Sequence, residues 1–189
     1  RIRALTHIQM HQKINIDGLD NTDVHVIDQQ NEQSCIQVFF FRAGQNFGNR
    51  AYFPRHDKDD TVSDILSAFI VQFYNNKPVP KEIIINQNIK DKTIIAEALK
   101  IKSGYKTVFT VPVRGAKKDL MQLAVRNAKE ALTRRQAENA SSKDSLQKLA
   151  DVFNLDEPLT RIEVYDNSHI SGKHAIGAMI VVGPEKKKK

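Results

Sequence analysis

The sequence predicts a mixed α/β fold in which an antiparallel meander feeds parallel crossovers. Three observations carry this reading, the first two being that apolar spacing changes from a strand-like to a helical period near residue 61 and that beyond it short unbroken apolar runs alternate with helical stripes. The third is the brevity of the linkers among the first three runs, which makes them consecutive antiparallel strands.

In order, the turn-rich DGLDNTD precedes three strand-like runs, Val24–Asp28, Cys35–Arg42 and Arg50–Pro54. Val62, Ile65, Leu66, Phe69, Ile70 and Phe73 then fall at i, i+3, i+4, i+7, i+8 and i+11, one helical stripe opened by Thr61 with Asp64 three residues on. Glu82–Asn86 (EIIIN) reads as a strand covered on both faces. A helix follows over Asp91–Lys102, with Asp91 as its cap and Gly104 as its stop. Thr107–Val111 is another buried strand, ended by Pro112, and Lys117–Glu138 a long helix turning Leu120, Leu123, Ala124, Ala128, Ala131 and Leu132 inward. The order β-β-β-α-β-α-β-α is the ribonuclease H-like arrangement, expected as one domain with a five-stranded mixed sheet over residues 22–138.

The polar stretch NASSKDS (139–145) predicts a break, then a short helix with Leu146, Leu149, Ala150 and Phe153, so that 139–158 form a linker. Arg161–Asp166 and Ala175–Val182 read as strands joined by a turn at Gly172. A strand ending in Asp followed by a hairpin repeats the opening of the first domain, so 159–189 are expected to begin a second one. At the other end, Ile2, Leu5 and Ile8 lie near one helical face, and residues 1–13 read as a helix tail.

Composition is that of a folding chain: 40% hydrophobic and 27% charged over 189 residues. The net charge of +7 includes Lys186–Lys189; without them 25 basic residues face 22 acidic ones, a net of +3. Only local clustering of charge therefore argues for nucleic acid. One cysteine, Cys35, excludes an internal disulfide and a thiolate zinc site, so the cytoplasm is the expected compartment. The apolar run Ala175–Gly183 is far below the ~20 residues that span a bilayer, no signal peptide is legible, and no membrane role is expected. Arg1 in place of Met points to a trimmed start.

The stretches IQVFFFRAGQNFGNRAYFPR (36–55), VPVRGAKKDLMQLAVRNAKEAL (111–132) and RIEVYDNSHISGKHAIGAMIVV (161–182) resemble the UvrC family of excinuclease ABC endonucleases, in order and spacing. RIRALTHIQMHQK is similar to the tail of that family's motif for docking the excinuclease B subunit, placing residues 1–14 there. The resemblance implies a DNA-repair endonuclease acting on damaged double-stranded DNA. It also implies that 161–182 open a ribonuclease H-like nuclease domain using Mg²⁺ or Mn²⁺ to cut 5′ of a lesion.

By that resemblance Asp166 is the first-strand carboxylate that binds the catalytic metal, a hard oxygen donor suited to such ions. Read from the bare sequence, Asp166 equally caps a strand or turn. His169, three residues on, would touch the site, the phosphate, or only a backbone group; His174 is weaker still. Metal-dependent phosphodiester cleavage needs several acidic ligands, and only one is identifiable. The chain alone is therefore expected to be inactive, the remaining carboxylates and a His coming from later strands in the family.

Asp28 ends the first strand much as Asp166 does, but Asn86 stands where an active fold would want a carboxylate, and Asp64 is a cap partner. The first domain thus reads as catalytically silent. Two surfaces are DNA-contact candidates. RAGQNFGNRAYFPR offers Arg42, Asn46, Arg50 and Arg55 with Phe47 and Tyr52, the alternative being a hairpin loop whose Gly44 and Gly48 serve backbone geometry. Arg114, Lys117, Lys118, Arg126 and Lys129, with Arg134 and Arg135, form the densest basic cluster; it would bind phosphates, or is simply a solvated helix face. Two functions follow: a metal-dependent endonuclease subunit, or a non-catalytic nucleic-acid-binding or scaffold module with a degenerate nuclease fold.

Overall fold

The computed structural model describes residues 18–30, 32–170 and 173–183, with the side chains of 169–175 outside that description. The residue 1–14 docking tail, the turn at Gly172, the side chains of His169 and His174, and Lys186–Lys189 therefore lie outside the described residues. Two compact units divide the chain, Arg1–Leu132 and Thr133–Lys189.

The first unit opens with strands β1 (Asn21–Gln30), β2 (Gln33–Arg42) and β3 (Gln45–Tyr52). Helix α1 (Val62–Asn75), β4 (Glu82–Ile85), α2 (Lys92–Ser103) and β5 (Val108–Thr110) follow, and α3 (Ala116–Val152) begins there and runs on into the second. The five strands form one sheet in the order β3-β2-β1-β4-β5. β1–β2 and β2–β3 are antiparallel, β1–β4 and β4–β5 parallel, the mixed topology that the element order predicts.

Alternation along β1 and β2 decides what covers each face. Ile27, Ile36 and Val38 pack with Ile65, Leu66, Ile70, Phe73 and Leu99 of the two short helices; Val24, Val26, Phe39 and Phe41 meet Leu120 and Ala124 of α3. Ile83 and Ile85 face one layer and Ile84 the other, which is why EIIIN has no polar face. Each such side chain, once fully buried, contributes about 1.5–3 kcal/mol. Ala124, Ala128 and Ala131 are short enough for α3 to lie close on the sheet.

Thr61 and Asp64 form the reciprocal capping box that their spacing predicts, with Asp64 N donating to Thr61 Oγ1 at 3.2 Å and Thr61 N to Asp64 Oδ2 at 3.3 Å. Gly104 ends α2 in the left-handed region at φ 79°, its N–H donating to the Lys100 carbonyl. Asp91 departs from expectation: it stands at the N-cap position, but at φ 54° and without a side-chain capping bond. A capping side chain reaches the helix amides from extended backbone, and the left-handed geometry aims it elsewhere.

Two further differences concern segments that read as loops. The glycine-bearing stretch after Arg42 is strand from Gln45, not Arg50, because Ala43 (φ 49°) and Gly44 (φ 73°) alone make the turn, in the left-handed geometry that matches strand twist. The polar stretch 139–145 is helical, within a single 37-residue helix. It holds no Gly or Pro, Ser142 and Ser145 hydroxyls donate back to the Glu138 and Ser141 carbonyls at 2.9 Å, and Asp144 pairs with Lys148 at 2.7 Å. Leu146 and Ala150 are buried as expected, whereas Phe153, just past the helix end, is exposed.

In the second unit β6 (Ile162–Ile170) and β7 (Lys173–Val182) pair antiparallel as a two-stranded sheet. Among the described residues no helix is long and apolar enough to cross a membrane.

Candidate functional site

β6 is a strand because Ile162, Val164, Tyr165 and Ile170 are β-branched or aromatic. Asp166 sits mid-strand opposite Ala178, and its exposed carboxylate accepts a hydrogen bond from Ser168 Oγ at 3.3 Å through Oδ2. The preceding acid, Glu163, is three residues back and so on the opposite face. It accepts from the Tyr165 hydroxyl and from Arg161 Nε at 2.5 Å, and these two bonds, the first foremost, hold its carboxyl below the usual value. Asp166 has the hard oxygens a divalent ion prefers, but among the described residues no group of three His, Cys, Asp or Glu side chains converges.

In the first unit Asn86, which the sequence reading placed where an active fold would want a carboxylate, directly follows β4. Its Oδ1 accepts from Ile27 N at 3.0 Å and its Nδ2 donates to Ile27 O at 2.9 Å, so the amide extends the β1–β4 ladder by one step. A carboxylate cannot reproduce the donor half of this bridge. Asn86→Asp is expected to destabilise the chain by about 1–3 kcal/mol, read by urea unfolding, and to confer no nicking. Asp28 accepts from Gln30 Nε2 at 2.9 Å. Asp64 is drawn below its usual pKa by the Thr61 hydroxyl and by Lys90, at 3.2 Å, as a cap partner should be.

The basic residues separate into committed and exposed ones. Lys117 bonds both Glu82 oxygens at 2.7 and 2.8 Å, tying the first turn of α3 to the start of β4. Arg42 NH1 bonds Asp23 Oδ1 at 2.7 Å, and Asn46 Oδ1 accepts from Gly48 N at 2.8 Å. Arg50 lies over the Tyr52 ring at 5.3 Å, and Arg55 is exposed on the segment leaving β3. On α3, Lys118, Arg126 and Lys129 fall at i, i+8 and i+11, along one stripe beside the face that buries Ala124 and Ala128. Arg126 and Lys129 are exposed and Lys118 half-buried, and Arg114 is exposed just before the helix.

One constellation escaped the sequence reading. Asp23, buried on β1, is held by Arg42 and by the Tyr74 hydroxyl, which donates to Oδ2 at 2.7 Å; His25 Nε2 lies 2.8 Å from that same hydroxyl. Since Tyr74 donates to Asp23, His25 donates from Nε2, leaving its buried Nδ1 without a partner among the described residues. Burial lowers His25 to a pKa of about 3 and pushes Tyr74 well above its usual value; Asp23 is raised, burial outweighing its Arg42 and Tyr74 bonds. The available signal was the alternation itself, which puts Asp23 and His25 in phase with Ile27.

Comparison with known proteins bears on the whole chain. Residues 21–135 match a family described as "UvrC Ribonuclease H-like domain", and residues 150–189 match "UvrC RNAse H endonuclease domain". The chain is 51% identical over 185 residues to UvrABC system protein C of Chelativorans sp. (strain BNC1), covering 98% of this chain and 28% of that protein. Its similarity to the proteins of that name from Brucella abortus (strain 2308) and Agrobacterium fabrum (strain C58 / ATCC 33970) is 50% and 49% identity, again over 98% of this chain, covering 30% and 27% of theirs. The chain thus spans under a third of the length of the curated relatives it matches. With one domain match spanning more than half of the sequence and a second containing the strand that bears Asp166, the chain belongs to the UvrC family.

Proposed function

We propose that this chain is part of the endonuclease subunit of bacterial nucleotide excision repair, which hydrolyses a phosphodiester 5′ of a lesion in damaged double-stranded DNA. What supports it above all is the family match over the Asp166 strand, joined to an exposed mid-strand carboxylate. In this reading Asp166 contributes one ligand for Mg²⁺ or Mn²⁺, with His169 the weaker catalytic candidate by its place in the sequence. A bound divalent ion supplies nucleophile activation and charge neutralisation at the phosphate. The chain's own residues orient and bind: Ser168 donates to one oxygen of the exposed Asp166 carboxylate, while Arg114, Lys118, Arg126 and Lys129 grip backbone phosphates. Lys117 and Arg42, DNA-contact candidates by residue type, serve by holding the fold.

The partners are damaged DNA and the excinuclease B subunit, the setting is the cytoplasm, and residues 1–14 are the tail of the docking motif. Residues 22–138 are then a silent ribonuclease H-like domain, 139–158 a helical connection and 159–189 the start of the nuclease domain. The silent reading of the first domain, the scaffold alternative confined to 22–138, is favoured by the Asn86 bridge.

The test uses the 189-residue chain with a lesion-bearing duplex. Arg126→Ala with Lys129→Ala is expected to weaken binding and lower the slope of log affinity against log salt by about 2. No Mg²⁺- or Mn²⁺-dependent nicking is expected. Nicking lost in Asp28→Ala would make the first domain a live nuclease, and binding unchanged by the double substitution would remove the α3 stripe from the interface.

A further inference from the structure

We propose that the β2–β3 hairpin is a stacking site for an unpaired DNA base, with Phe47 as its platform and Arg50 as the contact for the adjoining phosphate. This rests on the reading that the chain works on DNA, and names the form of DNA that this edge takes.

Phe47 is 68% exposed, and the strand is built to put it there. Pairing shifts between Phe39↔Asn49 and Phe41↔Asn46, so β3 carries one extra residue in a bulge beside Phe40. Gly48 supplies the left-handed backbone, at φ 107°, and Asn46 Oδ1 takes its N–H at 2.8 Å. Bulges of this kind re-aim a side chain. Three residues on, the Arg50 guanidinium lies 5.3 Å from the Tyr52 ring centroid, and Tyr52 is itself seated against Phe69 and Phe73. That stacking restrains a side chain that is otherwise costly to order.

Chemistry selects nucleic acid over a protein strand. From Gln33 to His56 the sequence has no Asp or Glu, and amide side chains at Gln45, Asn46 and Asn49 flank the aromatic. β3 is an edge strand, but its bulge interrupts the regular ladder that a second copy or an added peptide strand would need. A paired base hides its faces within the stack, whereas an unpaired one offers them to an exposed ring regardless of sequence.

The experiment compares two DNA molecules of equal length, one fully paired and one with a short central bubble, binding the 189-residue chain at fixed salt by fluorescence anisotropy. The wild type is expected to prefer the bubble. Phe47→Ala is expected to lower bubble affinity about tenfold and leave duplex affinity within about twofold. Phe47→Trp is expected to keep the preference, and because the chain has no other tryptophan, its emission reports the site directly and should be quenched by bubble DNA alone. Equal loss on both DNA forms, no loss, or emission unmoved by bound bubble would overturn the stacking site. So would concentration-dependent self-association abolished by Phe47→Ala, which would assign the edge to a second copy. If the wild type binds both forms equally and only the Arg126/Lys129 variant weakens them, the stacking site fails while DNA binding stands. If the chain binds neither, both fail.

Discussion

Arg42→Ala lowers the unfolding free energy of the chain by about 3 kcal/mol, near the lower end for breaking a buried ion pair, because the guanidinium is one-third exposed. The variant leaves the Asp23 carboxylate, 1% exposed, with the Tyr74 hydroxyl as its remaining bond. Asp23→Asn costs less, about 1–2 kcal/mol, since no bare charge stays behind and Arg42 can turn to water. The pH dependence separates this from simple loss of packing. Asp23 already has a raised pKa, and without Arg42 it rises further. A carboxyl raised in the folded state penalises folding at pH above its folded pKa and is relieved as protonation sets in, so the deficit of Arg42→Ala shrinks on acidification. His25 acts in the opposite direction in both proteins. With a folded pKa of about 3 against 6.5, its contribution is complete above pH 6.5 and is lost as pH falls toward 3. Urea titrations of both proteins at neutral pH and near pH 4.5 measure the difference, and a deficit independent of pH would refute the uncompensated-charge account.

Much of the sheet was legible because its signals are local. The stripe from Val62 to Phe73, the Thr61–Asp64 spacing and the uninterrupted EIIIN run each depend on residues within one or two turns, and all are found as read. The failures share a cause too. NASSKDS looked like a break because Asn and Ser are weak helix formers, yet no single residue there forbids the helix, and back-bonded serines with the Asp144–Lys148 pair sustain it. The glycine-bearing hairpin looked like a loop because Gly44 and Gly48 each stand for two outcomes, a turn or a bulge, and only strand pairing decides which. For the site, the family resemblance singled out Asp166, and residue type singled out Asn86 and the basic helix face. Residue type could not distinguish Lys117 and Arg42 from their neighbours, since their partners Glu82 and Asp23 are distant in sequence. The Asp23–Tyr74–His25 chain required the approach of α1 to β1, which no spacing in the sequence encodes.

Asp166→Ala, in a full-length protein carrying this chain, is expected to abolish 5′ incision while DNA binding and 3′ incision stay nearly intact. Loss of a metal ligand removes nucleophile activation and charge neutralisation at the phosphate, effects worth several kcal/mol of barrier, hence a drop of roughly a thousandfold or more. On the proposed reading binding rests on the α3 stripe and the β3 edge and is spared, and the fold is spared because Asp166 is exposed and is held by the long 3.3 Å bond from Ser168. The decisive measurement maps both cuts on an end-labelled, lesion-bearing duplex, with the excinuclease B subunit and Mg²⁺ present, for wild type and Asp166→Ala side by side. The account predicts that the 3′ product persists and the 5′ product vanishes. A 5′ product formed at the wild-type rate would contradict it and leave Asp166 a surface carboxylate on a strand.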